Sequence, residues 1–288
     1  MIKEVLKKFH FIVLLKEKIY YFIGINYSKV NLIKTFRAFV PYSSGDYDSL
    51  AKLTINSVNS TFPAIVNFLD FFDNNRLKII KLTTYANEFI SSNDTKLLKD
   101  TFDYYQSDKA SNHNYHLFYA KILNDREKIK NIFEVGLGSN DPKIPSNMGP
   151  KANPGASLRA FKDFLPNAKI FGADIDEKIL FNEDRIQTYQ VDQTKFETFQ
   201  NLIPDLPRNF DLIIDDGLHS PDANINTLRF GLQIVKIGGW IVIEDIGDAA
   251  LSIWQVIANL LPDNFEAHIF SCDGGAYGAN LFAVKRNY

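Results

Sequence analysis

Two apolar runs in this 288-residue chain each end in a pair of carboxylates. Leu212-Ile213-Ile214 leads into Asp215 and Asp216, and Trp240-Ile241-Val242-Ile243 leads into Glu244 and Asp245. His219 follows Asp216 by one short turn. A helical pattern and the turn Gly238-Gly239 separate the two runs, so this is a strand, a helix and a strand, and the strands are expected to be parallel. Their carboxyl ends then share one edge of one sheet, where open α/β folds bind ligands. Carboxylates gathered there raise each other's pKa unless a cation neutralises them. A hard divalent ion, Mg²⁺ or Mn²⁺, is the natural counter-charge, with Asp216, Glu244 and Asp245 as the acids that would meet it. A neutral imidazole at the same edge can take a proton near neutral pH. The bland alternative for His219 is a loop histidine with a capping role, and the two acid pairs beside it favour chemistry. For Glu244 and Asp245 the alternative is a pair of acids at a helix start. Glu244 directly follows an apolar strand, where an unpaired charge is costly, which favours a ligand or metal.

Several elements must hold these residues in place. From Ile132 onward, strand patterns at 132–135, 169–175, 187–192, 211–215, 240–244, 265–271 and 280–285 alternate with helical patterns at 156–165, 195–203, 222–235 and 249–260. Such alternation gives an α/β fold with a doubly wound, seven-stranded, mostly parallel sheet. Only CDGGAYGA joins the last two strands, too little for a crossover, so that pair is expected to be antiparallel. Asp273, Gly274 and Gly275 in that turn are candidates to rim an acceptor pocket. Residues 1–100 read as a helical N-terminal region, with helical spacing near 2–25, 49–58, 63–72, 77–91 and 95–105. Its expected role is oligomerisation or covering the active-site edge, so a homo-oligomer stays open.

Acids also end the earlier strands. Glu134, Gly136 and Gly138 lie in FEVGLGSND, where the glycines permit tight turning and close backbone approach. Asp141 stands where a dinucleotide fingerprint has its third glycine. The long loop from Gly136 to Gly155 argues further against a pyrophosphate seated on the next helix start. Asp174 ends the second strand, placed to accept from ribose hydroxyls, and Asp192-Gln193 ends the third, placed to read an adenine amino edge. Each acid alone is as readily a helix cap. Three at successive strand ends favour a nucleoside site.

Composition narrows the class. Hydrophobic residues make up 45% and charged residues 23%, as in an ordinary soluble protein. A net charge of −2 gives no reason to expect nucleic acid as a partner. The single cysteine, Cys272, excludes an internal disulfide and fits a reducing, cytoplasmic setting. Phe9–Ile25 is apolar but broken by Lys16, Glu17 and Lys18, so no stable membrane insertion is expected. It reads as an amphipathic helix packed on the protein or a partner.

In combination, SDKASNHNYHLFY (107–119), FEVGLGSNDP (133–142), GASLRAFKDFLPNAKIFGADID (155–176), IQTYQVDQT (186–194), FDLIIDDGLHS (210–220) and GGWIVIEDI (238–246) carry a resemblance. The chain resembles class I S-adenosylmethionine-dependent methyltransferases. Among them it is similar to the metal-dependent sugar O-methyltransferases of macrolide biosynthesis, the mycinamicin and macrocin group, and to related enzymes of bacterial glycans. The resemblance implies a Rossmann-like methyltransferase domain over residues 101–288, with S-adenosylmethionine and Mg²⁺ (or Mn²⁺) as cofactors. By the same resemblance Asp216, Glu244 and Asp245 are metal ligands and His219 is the general base. Lys109, Glu134, Gly136, Gly138, Ser157, Asp174, Asp192, Gln193 and Asp215 surround the cofactor or stand behind it. Asp108, Lys109, His113 and Tyr115 lie on a stretch that folds over it. Leu218 departs from the family, where serine is common. The substrate implied is a small molecule or glycan offering a sugar hydroxyl. The alternatives are a phosphoryl or amino acceptor on a surface glycan, and a non-catalytic binding protein on a degenerate methyltransferase domain.

Overall fold

Parallel strands need crossovers, and the helical patterns between the apolar runs supply them. In the computed structural model, which describes residues 27–42, 44–71, 76–272 and 280–288, the runs assemble into one mixed sheet. Its strands are β1 (Ile79–Lys81), β2 (Asn131–Val135), β3 (Lys169–Asp174), β4 (Asn182–Glu183), β5 (Ile186–Gln190), β6 (Phe210–Asp215), β7 (Val235–Ile246), β8 (Phe265–Ser271) and β9 (Asn280–Arg286). The order is β1-β8-β9-β7-β6-β2-β3-β5-β4. Neighbours β5, β3, β2, β6 and β7 run parallel. β9 inserts antiparallel between β7 and β8, as the short final connection requires.

The sheet therefore has nine strands, not the seven expected. The additions are edge strands: β1, three residues parallel to β8, and β4, two residues antiparallel to β5. Strands this short are below the length at which alternation is legible, and Ile79–Lys81 lies inside a stretch that reads as helical. The chain divides into two compact units, Met1–Asp73 and Asn74–Tyr288. This boundary precedes residue 100, the limit drawn from the sequence, because β1 and the helix Asn93–Tyr105 pack with the sheet-bearing unit. The earlier unit contains the helices Tyr27–Thr35 and Tyr47–Leu69; Asp46 caps the second by accepting from Asp48 and Ser49 amides at 2.9 Å. The stretch around 2–25, including Phe9–Ile25, and the turn residues Asp273, Gly274 and Gly275 lie outside the described residues. No helix among the described residues is long and apolar enough to cross a membrane.

Alternation along the central strands sorts the core into two layers. Ile132, Leu212, Ile214, Trp240 and Val242 pack with helices Asn93–Tyr105, Tyr115–Ile122 and Ala156–Phe164. Phe133, Val135, Ile213, Ile241 and Ile243 pack with helices Phe196–Leu202, Pro221–Ile234 and Leu251–Ala258. Ser92 starts the first of these helices by accepting from the Thr95 amide at 3.1 Å. Register brings the acids level: Val135 is opposite Asp215, and Asp215 is opposite Ile243.

Candidate functional site

The two-residue strand period decides where each acid points. Glu134, Asp216 and Glu244 continue the parity of Ile132, Ile214 and Val242, so they turn toward the helices that follow residue 107. There they meet Lys109, whose side chain is 2% exposed. Its Nζ lies 2.6 Å from Asp216 Oδ2 and 3.1 Å from Glu134 Oε1, and it also donates to Glu244 Oε2. Burial pulls the Lys109 pKa down, but the three carboxylates outweigh it and hold the ammonium charged. Burial raises Glu134, Asp216 and Glu244, with Lys109 opposing in each case. Ser157 Oγ donates to the other oxygen of Glu134 at 2.8 Å, and the Tyr119 hydroxyl donates to Glu244 Oε1.

Asp215 has the opposite parity and faces the other layer. It is fully buried and accepts from Gln193 Nε2 at 2.6 Å and from the Gly217 amide at 3.2 Å. Gln193 Oε1 in turn accepts from the Leu218 amide at 2.9 Å, so the pair fixes the turn that carries His219.

Asp245 and His219 both adopt φ +56°, a left-handed conformation uncommon for residues with a Cβ. The twist turns Asp245 toward His219. His219 Nε2 lies 3.9 Å from Asp216 Oδ1 and 3.8 Å from Asp245 Oδ2. Donor atoms of Asp216, His219 and Asp245 all lie within 4.8 Å of one another. The three side chains lie close enough for a divalent cation to sit among them. Glu244, expected among the metal ligands, is not in this cluster. Its parity buries it, and its two oxygens are taken by Lys109 and Tyr119.

A cavity of about 320 Å³ opens at this edge. Of the residues expected at the cofactor, it is lined by Lys109, Gly136, Gly138, Ser157, Asp174, Asp192 and Gln193, together with Asp216, His219 and Asp245. Glu134 and Asp215 do not line it and act through Lys109, Ser157 and Gln193. Gly136 has φ +93°, and a Cβ there would meet the Asp216 carbonyl oxygen at 2.0 Å. Asp174 accepts from the Leu137 and Asp176 amides at 2.7 and 2.9 Å, and burial raises its pKa. Asp192 is held low by a hydrogen bond from Lys195. The long loop after Gly138 folds back, with the Met148 amide donating to the Ser139 carbonyl at 2.8 Å, and adds Ile144 and Met148 to the wall. Sequence reasoning assigns no role to these two or to Tyr119. For Tyr119 the i, i+4 spacing from Tyr115 is the available signal, since it puts two hydroxyls on one helix face. His113 lies outside the cavity wall, stacked on Tyr115, with Nδ1 3.6 Å from Asp245 Oδ1. His116 is buried and does not line the cavity.

The fold matches known structures. The chain superposes on the MycE methyltransferase of the mycinamycin pathway, in complex with Mg and SAH, at TM-score 0.51 and 22% identity, over 66% of this chain and 54% of that one. The complex of the same enzyme with Mg, SAH and mycinamycin VI gives 0.52 and 23%, over 66% and 53%. The fold is that of the class I methyltransferases. Among curated relatives, the chain is 42% identical over 96 residues to mycinamicin VI 2''-O-methyltransferase of Micromonospora griseorubida, covering 33% of this chain and 24% of the relative. It is 35% identical over 95 residues to demethylmacrocin O-methyltransferase of Streptomyces fradiae, again 33% and 24%. L-olivosyl-oleandolide 3-O-methyltransferase of Streptomyces antibioticus matches at 30% over 122 residues, 42% and 29%. The matched stretch thus spans about a quarter of each relative's length. No family model matches the chain.

Proposed function

We propose that this protein is an S-adenosylmethionine-dependent, divalent-metal-assisted O-methyltransferase acting on a sugar hydroxyl of a bacterial glycan or glycosylated metabolite. One observation carries the reading: a cavity with nucleoside-type acids, Asp174 and Asp192, on one wall has the Asp216–His219–Asp245 cluster on the other. The donor set fits Mg²⁺ or Mn²⁺, and the named relatives are sugar O-methyltransferases.

A sugar hydroxyl is a weak nucleophile at neutral pH. A bound divalent ion supplies the positive charge that lowers its pKa. Asp216 and Asp245 hold that ion. Asp174 and Asp192 hold the nucleoside of the methyl donor, and Gly136 lets the backbone approach it. His219 Nε2 would take the hydroxyl proton as the methyl group passes from the sulfonium of the donor to the sugar oxygen, with S-adenosylhomocysteine as the other product. Lys109 does not join the chemistry. The carboxyl groups of Glu134, Asp216, Glu244 and Asp245 outnumber the single ammonium of Lys109, and a divalent ion would offset part of that excess. The enzyme is assigned to the cytoplasm, where Cys272 stays reduced and the methyl donor is made.

Calorimetric titration with S-adenosylhomocysteine tests the cofactor half. Asp174→Ala should weaken binding by roughly 1.5–3 kcal/mol, through loss of a charged acceptor and of the Leu137 loop anchor. Unchanged affinity in a folded variant would remove Asp174 from the site. Mass spectrometry of surface glycans from a strain lacking the gene then identifies the acceptor as the one missing a methyl group.

A further inference from the structure

The cluster has a support that no chemistry above uses. Asp245 holds a left-handed backbone conformation at φ +56° near the end of β7, where the pairing with β9 shifts register between Ile243 and Ile246. An aspartate does not stay there unless its surroundings fix it. The Tyr115 hydroxyl does so from one side, beside the shifted β7–β9 pairing. It accepts from the Asp245 amide at 3.2 Å and donates to Asp245 Oδ1. Both bonds come from one oxygen, so a single group sets the backbone turn and the carboxylate rotation. With Oδ1 engaged, Oδ2 is the oxygen that faces His219, at 3.8 Å.

Tyr115 itself has little freedom. It is 1% exposed, begins the helix Tyr115–Ile122, and carries the stacked His113 ring at 5.0 Å and 17°. Asp216 is arranged in the same way from the same stretch of chain: Lys109 binds Oδ2 at 2.6 Å, leaving Oδ1 toward His219.

We propose that Tyr115 is a positioning residue for the divalent-cation site, its hydroxyl fixing Asp245 so that Oδ2 is presented to the ion. The proposal rests on the metal reading above, and the two fail separately. Groups that orient metal ligands typically change affinity by roughly 10–100-fold when removed. Tyr119 supplies a matched control. It lies one helical turn further along the same helix, is equally buried, and gives its hydroxyl to Glu244, which is not part of the Asp216–His219–Asp245 group.

The test is Mn²⁺ titration of the full chain followed by electron paramagnetic resonance, on wild type, Tyr115→Phe, Tyr119→Phe and Asp245→Asn. Tyr115→Phe should raise the Mn²⁺ dissociation constant roughly 10-fold or more, with Tyr119→Phe within about 2-fold of wild type. In turnover, Tyr115→Phe should raise the metal concentration for half-activity while kcat at saturating metal largely recovers, a split that general loosening of the fold would not give. S-adenosylhomocysteine affinity should be unchanged in both. If Asp245→Asn loses Mn²⁺ while Tyr115→Phe matches wild type, the metal reading stands and the positioning role is wrong. Equal damage from Tyr119→Phe also overturns it, since the effect is then structural. If wild type binds no Mn²⁺, the metal reading itself falls and takes this inference with it.

Discussion

Lys109 Nζ lies 2.6 Å from Asp216 Oδ2, deep at the sheet edge, in a bond that links the segment after residue 107 to the end of β6. The same ammonium serves Glu134 and Glu244, so removing it strands two fully buried carboxylates and takes the counter-charge from Asp216. Breaking a buried pair from one side costs roughly 3–5 kcal/mol. Lys109→Met should therefore lose that much in denaturant unfolding. Lys128→Met, which breaks an exposed pair with Asp125, should unfold as wild type does. Equal stability of the two variants would contradict the assignment of Lys109 as the counter-ion of the edge.

Gly136 tests how tightly the first loop passes the second. At Gly149, φ is +79° and a Cβ would meet nothing within 4 Å, so Gly149→Ala should cost only the left-handed conformation, about 1–2 kcal/mol. At Gly136 the same conformation is joined by the Asp216 carbonyl oxygen at 2.0 Å, so Gly136→Ala must displace the loop that carries Asp216. Unfolding measurements should rank Gly136→Ala well below Gly149→Ala, with S-adenosylhomocysteine affinity lost only in the former.

Stability should also depend on His116. Burial, helped by the charge of Lys99, pushes its pKa down from 6.5 to about 4. An unfolded chain then binds a proton below about 6.5 that the folded one takes up only near 4, so the stability from neutral His116 is present above 6.5 and lost as pH falls toward 4. Between pH 7 and 4.5 the loss should be on the order of 2–3 kcal/mol. His116→Leu should remove that component, making unfolding free energy less steep over this range than in wild type. Parallel pH profiles for the two proteins would mean the imidazole titrates normally.

Much of this arrangement is legible in the sequence, for reasons that individual residues make clear. The apolar runs Leu212–Ile214 and Trp240–Ile243, separated by a helical pattern and each followed by acids, point to a parallel pair with acids at one edge. What is not legible is which carboxylate meets which partner. Asp215 and Asp216 differ by one residue of strand parity, and only packing reveals that one faces Gln193 and the other Lys109. Glu244 gives no sign in the sequence of the partners it meets, because Tyr119 and Lys109 lie 125 and 135 residues earlier, on helices whose docking no local pattern encodes. Ile144 and Met148 reach the cavity through a loop without periodicity.

Under the proposed function His219 acts as base, a role with a kinetic signature. His219→Ala should lower kcat by on the order of 10²–10⁴. Because Nε2 also lies within the cluster of Asp216 and Asp245, Mn²⁺ affinity separates two duties. Affinity within about 2-fold of wild type marks a base, and a roughly 10-fold loss marks a third ligand. A variant with near-normal kcat would leave His219 with neither.

The central claim is methyl transfer that needs a divalent ion, and one assay addresses it directly. The protein is freed of metal with EDTA, then given S-adenosylmethionine labelled in its methyl group and glycosylated acceptors bearing free sugar hydroxyls. Formation of labelled product is followed by mass spectrometry with and without added Mg²⁺ or Mn²⁺. The account predicts no labelled sugar without metal, restoration on adding either ion, and loss again in Asp216→Asn and Asp245→Asn. Full transfer by protein confirmed to be metal-free would contradict it and assign the acids at this sheet edge another purpose.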